Sequence, residues 1–233
     1  GLRVVLAGLL ALPDSLTTSE QRDRWQRLLG EVKELPIAEE AGKKWVKPAH
    51  VFSDKLNAEN PEMYAVFPYP IYGVGKPDLE IGRETYARRG TQRTGGWQQD
   101  AIQAALLGLP DQAKNYLMQN VMTENLMGGA VEKAKRPDSR FPAFWGPNFD
   151  WIPDQCNASV ILATLQYMLL QTDGEKILLL PAWPTEWNAD FKLNAPYNTT
   201  IEGRVVNGEV TDLRVTPEER RKDVVVLTNE VMK

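Results

Sequence analysis

Across 233 residues the chain carries 27 Lys and Arg against 31 Asp and Glu, a net charge of -4. The two signs are scattered, so no basic stripe is available to neutralise a phosphate backbone, and nucleic acid is not an expected partner. A lone histidine, His50, and a lone cysteine, Cys156, cannot assemble a Cys/His zinc site or an internal disulfide, and neither a metal nor a cofactor is expected.

Gly1 to Pro13 is a short apolar run without the basic n-region or small-residue cleavage site of a signal peptide. It reads as the tail of a buried helix whose domain begins further upstream. Nowhere does apolar sequence extend over the ~20 residues a membrane-spanning helix needs. Thr18, with Gln21 three positions on, has the form of a capping box, and Trp25, Leu28, Leu29, Val32 and Leu35 follow at helical spacing up to Pro36. Pro77 suits a first helical position, Asp78 and Glu80 favour the positive end of the dipole, and this second helix stops between Arg88 and Gly90. A third helix carries Trp97, Ala101, Ala104 and Ala105 on a face that permits close helix approach. Pro110 ends it, and Asp111 caps a fourth helix that runs to about Met122.

From Gly128 to Pro153 periodicity gives way to glycine, proline and large aromatics, a length and composition that point to a functional loop. A fifth helix is predicted from about Asn157 to Gln171, with Leu162, Leu165, Met168 and Leu169 on its apolar stripe. Beyond Gly174 the pattern is extended, beginning with Ile177 to Leu180. Asn207-Gly208, between Val205-Val206 and Val210, signals a hairpin, because both residues tolerate the positive φ of a type I′ turn. Leu213 to Val215 and Val224 to Leu227 complete the small sheet. The expected fold is mainly α, with residues 1–186 forming helix pairs joined by long loops and residues 187–233 an antiparallel β-domain.

Phosphate-binding glycine loops, nucleophile elbows and metalloprotease helices are missing from the sequence, which leaves carboxylates to carry any chemistry. Cleaving a glycosidic bond needs a proton donor for the leaving oxygen, a group that orients water, and aromatic faces for the apolar side of sugar rings. Two stretches combine carboxylates with aromatics. One runs from Phe144 through Trp145, Asp150, Trp151, Asp154, Gln155 and Cys156 to Asn157, and the other runs from Glu59 and Glu62 to Tyr64 and Phe67. Each acid also has a structural reading, as Asp154 stands where an ordinary helix cap would. Trp145 and Trp151 suit a core as well as a sugar platform.

An ordered series of segments in this chain resembles the closing part of glycoside hydrolase family 95. The series is Glu59-Asn60-Pro61-Glu62, Phe67-Pro68, Thr85-Tyr86-Ala87-Arg88-Arg89-Gly90, Thr94-Gly95-Gly96-Trp97, Pro153-Asp154-Gln155-Cys156-Asn157, Met168-Leu169-Leu170-Gln171 and Leu179-Leu180-Pro181-Ala182-Trp183-Pro184. The resemblance covers roughly residues 38–226. It implies an (α/α)6 toroid, of which this chain would be the C-terminal part, and an inverting, α-L-fucosidase-like hydrolysis of plant or host oligosaccharide or polysaccharide.

Asp154 is then the catalytic aspartate that polarises the water-positioning groups. Glu59, Glu62, Trp97, Trp145, Asp150, Trp151, Gln155 and Asn157 line the sugar site. An ungapped count back from Met168 sets Cys156 at the aspartate's place, and a gapped one sets Asp154 there. Glu59 and Glu62 stand where the family carries histidines. The family's general acid lies upstream, so the expected partners are the sugar substrate and the upstream half of the same polypeptide. A periplasmic or extracellular location follows by analogy. A non-catalytic sugar-binding remnant of such an enzyme is the alternative.

Overall fold

A computed structural model of the chain describes residues 1–53, 58–94, 97–122 and 155–227. These residues form a mixed α/β fold and not a mainly-α (α/α)6 toroid, with six α-helices and eight strands in three small sheets. A toroid requires helix pairs in unbroken succession, and here extended segments separate them. They fall into two compact units, residues 1–71 with 80–90, and residues 72–79 with 91–233.

In the first unit α1 (Leu2–Leu10) folds back on α2 (Ser19–Glu31). The capping box forms as the sequence predicts, Gln21 N–H donating to the Thr18 hydroxyl and Thr18 N–H to the Gln21 side chain. Arg22 ties the connection together by donating to Thr17 Oγ1 and to the Leu10 carbonyl, while Arg3 donates to the Val32 carbonyl at 2.7 Å. The expectation of a buried first helix fails. Leu6 is buried, but Leu2, Val4 and Val5 are exposed.

A hairpin absent from the sequence reading follows, β1 (Ile37–Glu40) paired with β2 (Lys43–Val46) around Ala41 and Gly42, both at positive φ. Its strands are short and rich in Glu and Lys, so alternation is too weak to read. The hairpin is held to α3 (Leu79–Arg88), which starts two residues later than Pro77. Thr85 makes the buried link, accepting from Val46 N–H at 2.9 Å while donating to the Ile81 carbonyl. On the surface, Lys43 and Arg88 both donate to Glu84, and the Arg88 guanidinium lies 3.9 Å above the Trp45 ring.

The second unit is built on a layer of three helices, α4 (Asp100–Leu106), α5 (Pro110–Met122) and α6 (Gln155–Leu169). α4 stops in a paired cap, with Gly108 at φ 64, its N–H on the Ala105 carbonyl and Leu109 N–H on the Ala104 carbonyl. Pro110 then opens α5 at the position where a missing N–H costs nothing. α6 passes directly into β3 (Leu170–Asp173), which pairs with β4 (Lys176–Leu179).

The strand expected to join the C-terminal sheet, β8 (Val224–Val226), instead runs parallel to β4. Its three consecutive valines carry no alternation to choose a partner, and the buried Ile177–Leu179 edge offers apolar cover. β5 (Ala189–Ala195), β6 (Thr199–Val206) and β7 (Glu209–Thr216) form an antiparallel meander. Its β6–β7 turn is the predicted Asn207-Gly208, at φ 51 and 80.

The Arg88 and Lys43 hydrogen bonds hold the Glu84 carboxyl below the usual carboxylate range. A carboxyl depressed on folding contributes stability that is complete above its unfolded value and lost as pH falls through the folded one. The wild-type chain is therefore expected to melt above Glu84→Gln at neutral pH, with the two melting temperatures converging under acid. Thermal unfolding from about pH 7 down to about pH 3 checks this, and curves that stay parallel would clear Glu84 of any part in acid sensitivity.

Candidate functional site

Every residue of α4 from Asp100 to Ala105 is buried. Ala101, Ala104 and Ala105 allow α5 and α6 to close on it, and a helix enclosed in this way carries its polar residues into the interior. Gln171, just past α6, donates to the Ala105 carbonyl at 2.7 Å and to the Tyr167 carbonyl at 2.8 Å. That bond ties the last turn of α4 to the residues that follow α6.

The segment before α4 and the end of α5 meet in a buried polar contact. The Thr94 hydroxyl, fully enclosed, donates to Asn120 Oδ1 at 2.8 Å and fastens the segment before α4 to the end of α5. Gln98, Asp100, Gln103, Asn120 and Asn157 are all buried with it. Several of their atoms find no hydrogen-bond partner among the described residues: both amide atoms of Gln98, Gln103 Oε1 and Asn120 Nδ2. A polar group buried with no partner at all costs about 1–3 kcal/mol.

The first unit holds a carboxylate of the same kind. A short 3-10 turn, Pro61–Ala65, buries Met63 and Ala65 and carries Glu62 inward with them. Glu62 is 6% exposed. Its Oε1 accepts from Gly90 N–H at 3.3 Å, while Oε2 is buried and has no partner among the described residues. Beside Gly90, the buried Arg89 stacks its guanidinium 3.6 Å from the Tyr86 ring.

The residues proposed from sequence are distributed unevenly. Asn157 is fully buried in the first turn of α6, which Gln155 opens. Trp97, 37% exposed, precedes α4 in the same unit. Glu59 and Glu62 belong to the other unit, with Glu59 half-buried just ahead of the 3-10 turn. Asp154, Trp145, Asp150 and Trp151 lie outside the described residues. Cys156 is exposed on α6 and is in no disulfide.

Sequence reading missed Thr94, Gln98, Gln103 and Asn120. The signal available was Gln103, a long amide standing between Ile102 and Ala104 in a helix otherwise apolar on all sides. Among the described residues no three His, Cys, Asp or Glu side chains gather as a metal would require, and no helix is long and apolar enough to cross a membrane. No protein-family model matches the chain, and a search of curated proteins finds no relative.

Thr94→Val keeps the shape of the side chain but removes its hydroxyl, stripping the buried Asn120 amide oxygen of its donor. A stability loss of about 1–3 kcal/mol is expected, read from the urea midpoint at constant slope. An unmoved midpoint would mean that the Thr94–Asn120 bond does not hold the segment before α4 to the end of α5.

Proposed function

We propose that the polypeptide carrying this chain hydrolyses glycosidic bonds of an oligosaccharide or polysaccharide, in the manner of the α-L-fucosidase-like enzymes of glycoside hydrolase family 95, and that this chain supplies one wall of the sugar site. The observation that carries the reading is Glu62. A buried carboxylate with one oxygen fixed by a backbone N–H and the other without a partner among the described residues is well suited to accept a hydrogen bond from a sugar hydroxyl. Glu62 sits inside the first segment of the motif series on which the resemblance rests. The proposal rests on those side chains and not on a toroid, because function belongs to a site and one chemistry recurs on unrelated folds.

In the proposed reaction a water oxygen attacks the anomeric carbon as the glycosidic C–O bond breaks. The leaving oxygen takes its proton from a general acid contributed by upstream sequence, and the water's proton passes to the Asp154 carboxylate through the polar group it orients. Glu62 holds the sugar through a hydroxyl, so its contribution is to binding and orientation. Asp154 acts on the attacking water, so its contribution is to turnover. Sugar binding without cleavage is the second reading, favoured by the thiol of Cys156 at the ungapped place of the family's aspartate, since a thiol is a poor substitute for a carboxylate base.

In the native polypeptide, assayed on aryl-glycosides and plant oligosaccharides, Glu62→Gln is expected to lower kcat/KM by roughly 10- to 100-fold, the worth of one charged hydrogen bond. Asp154→Asn should lower kcat at saturating substrate. Turnover unchanged in both variants would overturn the assignment. Sugar binding that depends on Glu62 with no hydrolysis of any substrate would instead establish the second reading.

A further inference from the structure

The antiparallel meander has two outer strands, and they are built differently. On β7, Thr211 and Arg214 pair with Arg204 and Glu202, so Asp212 and Leu213 together stand opposite the single Gly203, a bulge with Asp212 at φ 52. The Leu213 carbonyl accepts from Arg221 Nη1 at 2.7 Å, and the turn that carries Arg221, Glu218–Asp223, packs along the strand. Bulges and covering groups of this kind keep a sheet edge from pairing further. β5 has neither. Its seven residues pair with β6 in unbroken register and contain no proline, and among the described residues no strand lies on its other side.

The outer edge of β5 is patterned to match itself. Asp190 and Lys192 project from the polar face, their side chains 73% and 68% exposed, and each already has an opposite charge across on β6: Arg204 at 2.5 Å from Asp190, and Glu202 at 3.1 Å from Lys192. Phe191 and Leu193, half-buried, alternate with them on the apolar face that carries the buried Ile201 and Val205.

Two copies of β5 laid edge to edge about a two-fold axis perpendicular to the sheet keep each face continuous, and the charged middle of the strand decides their register. With the axis at Asp190 the two aspartates oppose each other, and with the axis at Lys192 the two lysines do. With the axis at Phe191, Asp190 of each copy faces Lys192 of the other, Phe191 faces Phe191, and Ala189 faces Leu193. Charge then alternates across the four central strands in the order Arg204, Asp190, Lys192, Glu202. Opposite charges and aromatic rings directly opposed are the cross-strand pairs that stabilise a sheet.

We propose that β5 is a self-association edge, through which two copies of this chain join their meanders into one six-stranded antiparallel sheet in the register centred on Phe191. The bulged and covered β7 strands end that sheet on both sides, so association closes at a dimer.

The native polypeptide, followed through a dilution series by light scattering and analytical ultracentrifugation, is expected to form a dimer that weakens with added salt. Lys192→Glu sets an acid against Asp190, and Asp190→Lys sets a base against Lys192, so each variant alone should dissociate at least about 10-fold more readily. Mixed in equal amounts the two should dimerise again. The acid introduced in one copy then meets the base introduced in the other, and the native Asp190 meets the native Lys192.

Melting curves establish that each variant is folded. Should charge reversal beside Arg204 or Glu202 unfold either one, Asp190→Cys and Lys192→Cys, each combined with Cys156→Ser, read the same register: under mild oxidation the mixture should give a disulfide-linked dimer and neither variant alone should do so. A native polypeptide that stays monomeric throughout the series overturns the proposal. So does a dimer that both charge variants retain, a mixture that fails to restore it, or cysteine variants that cross-link as readily alone as together.

Discussion

The second unit is organised by one constraint, the complete enclosure of α4. Seven residues make a helix of about 10 Å, too short to be stable by itself, so it exists because α5 and α6 cover it. Three alanines let those neighbours approach closely, and the Gly108 cap turns the chain directly into α5 with the carbonyls of Ala104 and Ala105 satisfied. Gln171 supplies the remaining tie by reaching from the start of β3 to the Ala105 carbonyl. Enclosure on all sides leaves Asp100 and Gln103 no route to solvent. Their polarity must therefore be met inside the layer, and the layer in turn draws in Thr94, Gln98, Asn120 and Asn157.

The first unit solves the opposite problem. Its helices and hairpin bury little, α2 having no buried residue at all, and it is fastened largely by arginines and lysines that reach backbone carbonyls or carboxylates. Exposed ion pairs of this kind contribute modestly and are screened by salt. The stronger links are the buried ones, Thr85 bridging β2 and α3 and the small core of Leu6, Val46, Met63, Val66 and Tyr86. Glu62 enters that core on the same turn as Met63. A carboxylate placed among apolar side chains with half of its acceptor capacity unspent works against the stability of an already modest core, which is the physical reason to look for its purpose in function.

How far the sequence disclosed this structure depended on the range over which each signal acts. Local signals were legible. The Thr18–Gln21 capping box, the Pro110 boundary between α4 and α5, and the Asn207-Gly208 turn all depend on a few neighbouring residues and formed as read. Signals that depend on distant partners were not. Val224 to Val226 read as a strand, but nothing in three valines says that β4, almost fifty residues earlier, is the edge they join. Likewise the apolar start of the chain reads as buried by composition, whereas burial is decided by whether a partner covers it. The toroid expectation failed for the same reason, since it required the helices to continue one another in space. For the site, sequence reasoning looked for carboxylates and aromatics and named Glu62 among them, but it passed over Gln103 of α4. An amide in an alanine-rich helix looks like an ordinary surface residue until the helix is seen to have no surface.

The two kinds of unspent polar group differ in what they can do, and the difference bears on mechanism. Carboxylate oxygens only accept hydrogen bonds, and Glu62 Oε2 has no donor among the described residues. Amides both donate and accept hydrogen bonds and carry no charge, so Gln98, Gln103 and Asn120 differ from Glu62 in kind. A sugar-cleaving polypeptide needs both functions, and it gains when they are carried by separate residues. Groups that bind ground state and transition state alike lower KM, while groups that meet developing charge or a moving proton raise kcat. Under the proposed function Glu62 belongs with the groups that bind and Asp154 with those that set turnover, a separation that a purely structural role for either residue would not produce.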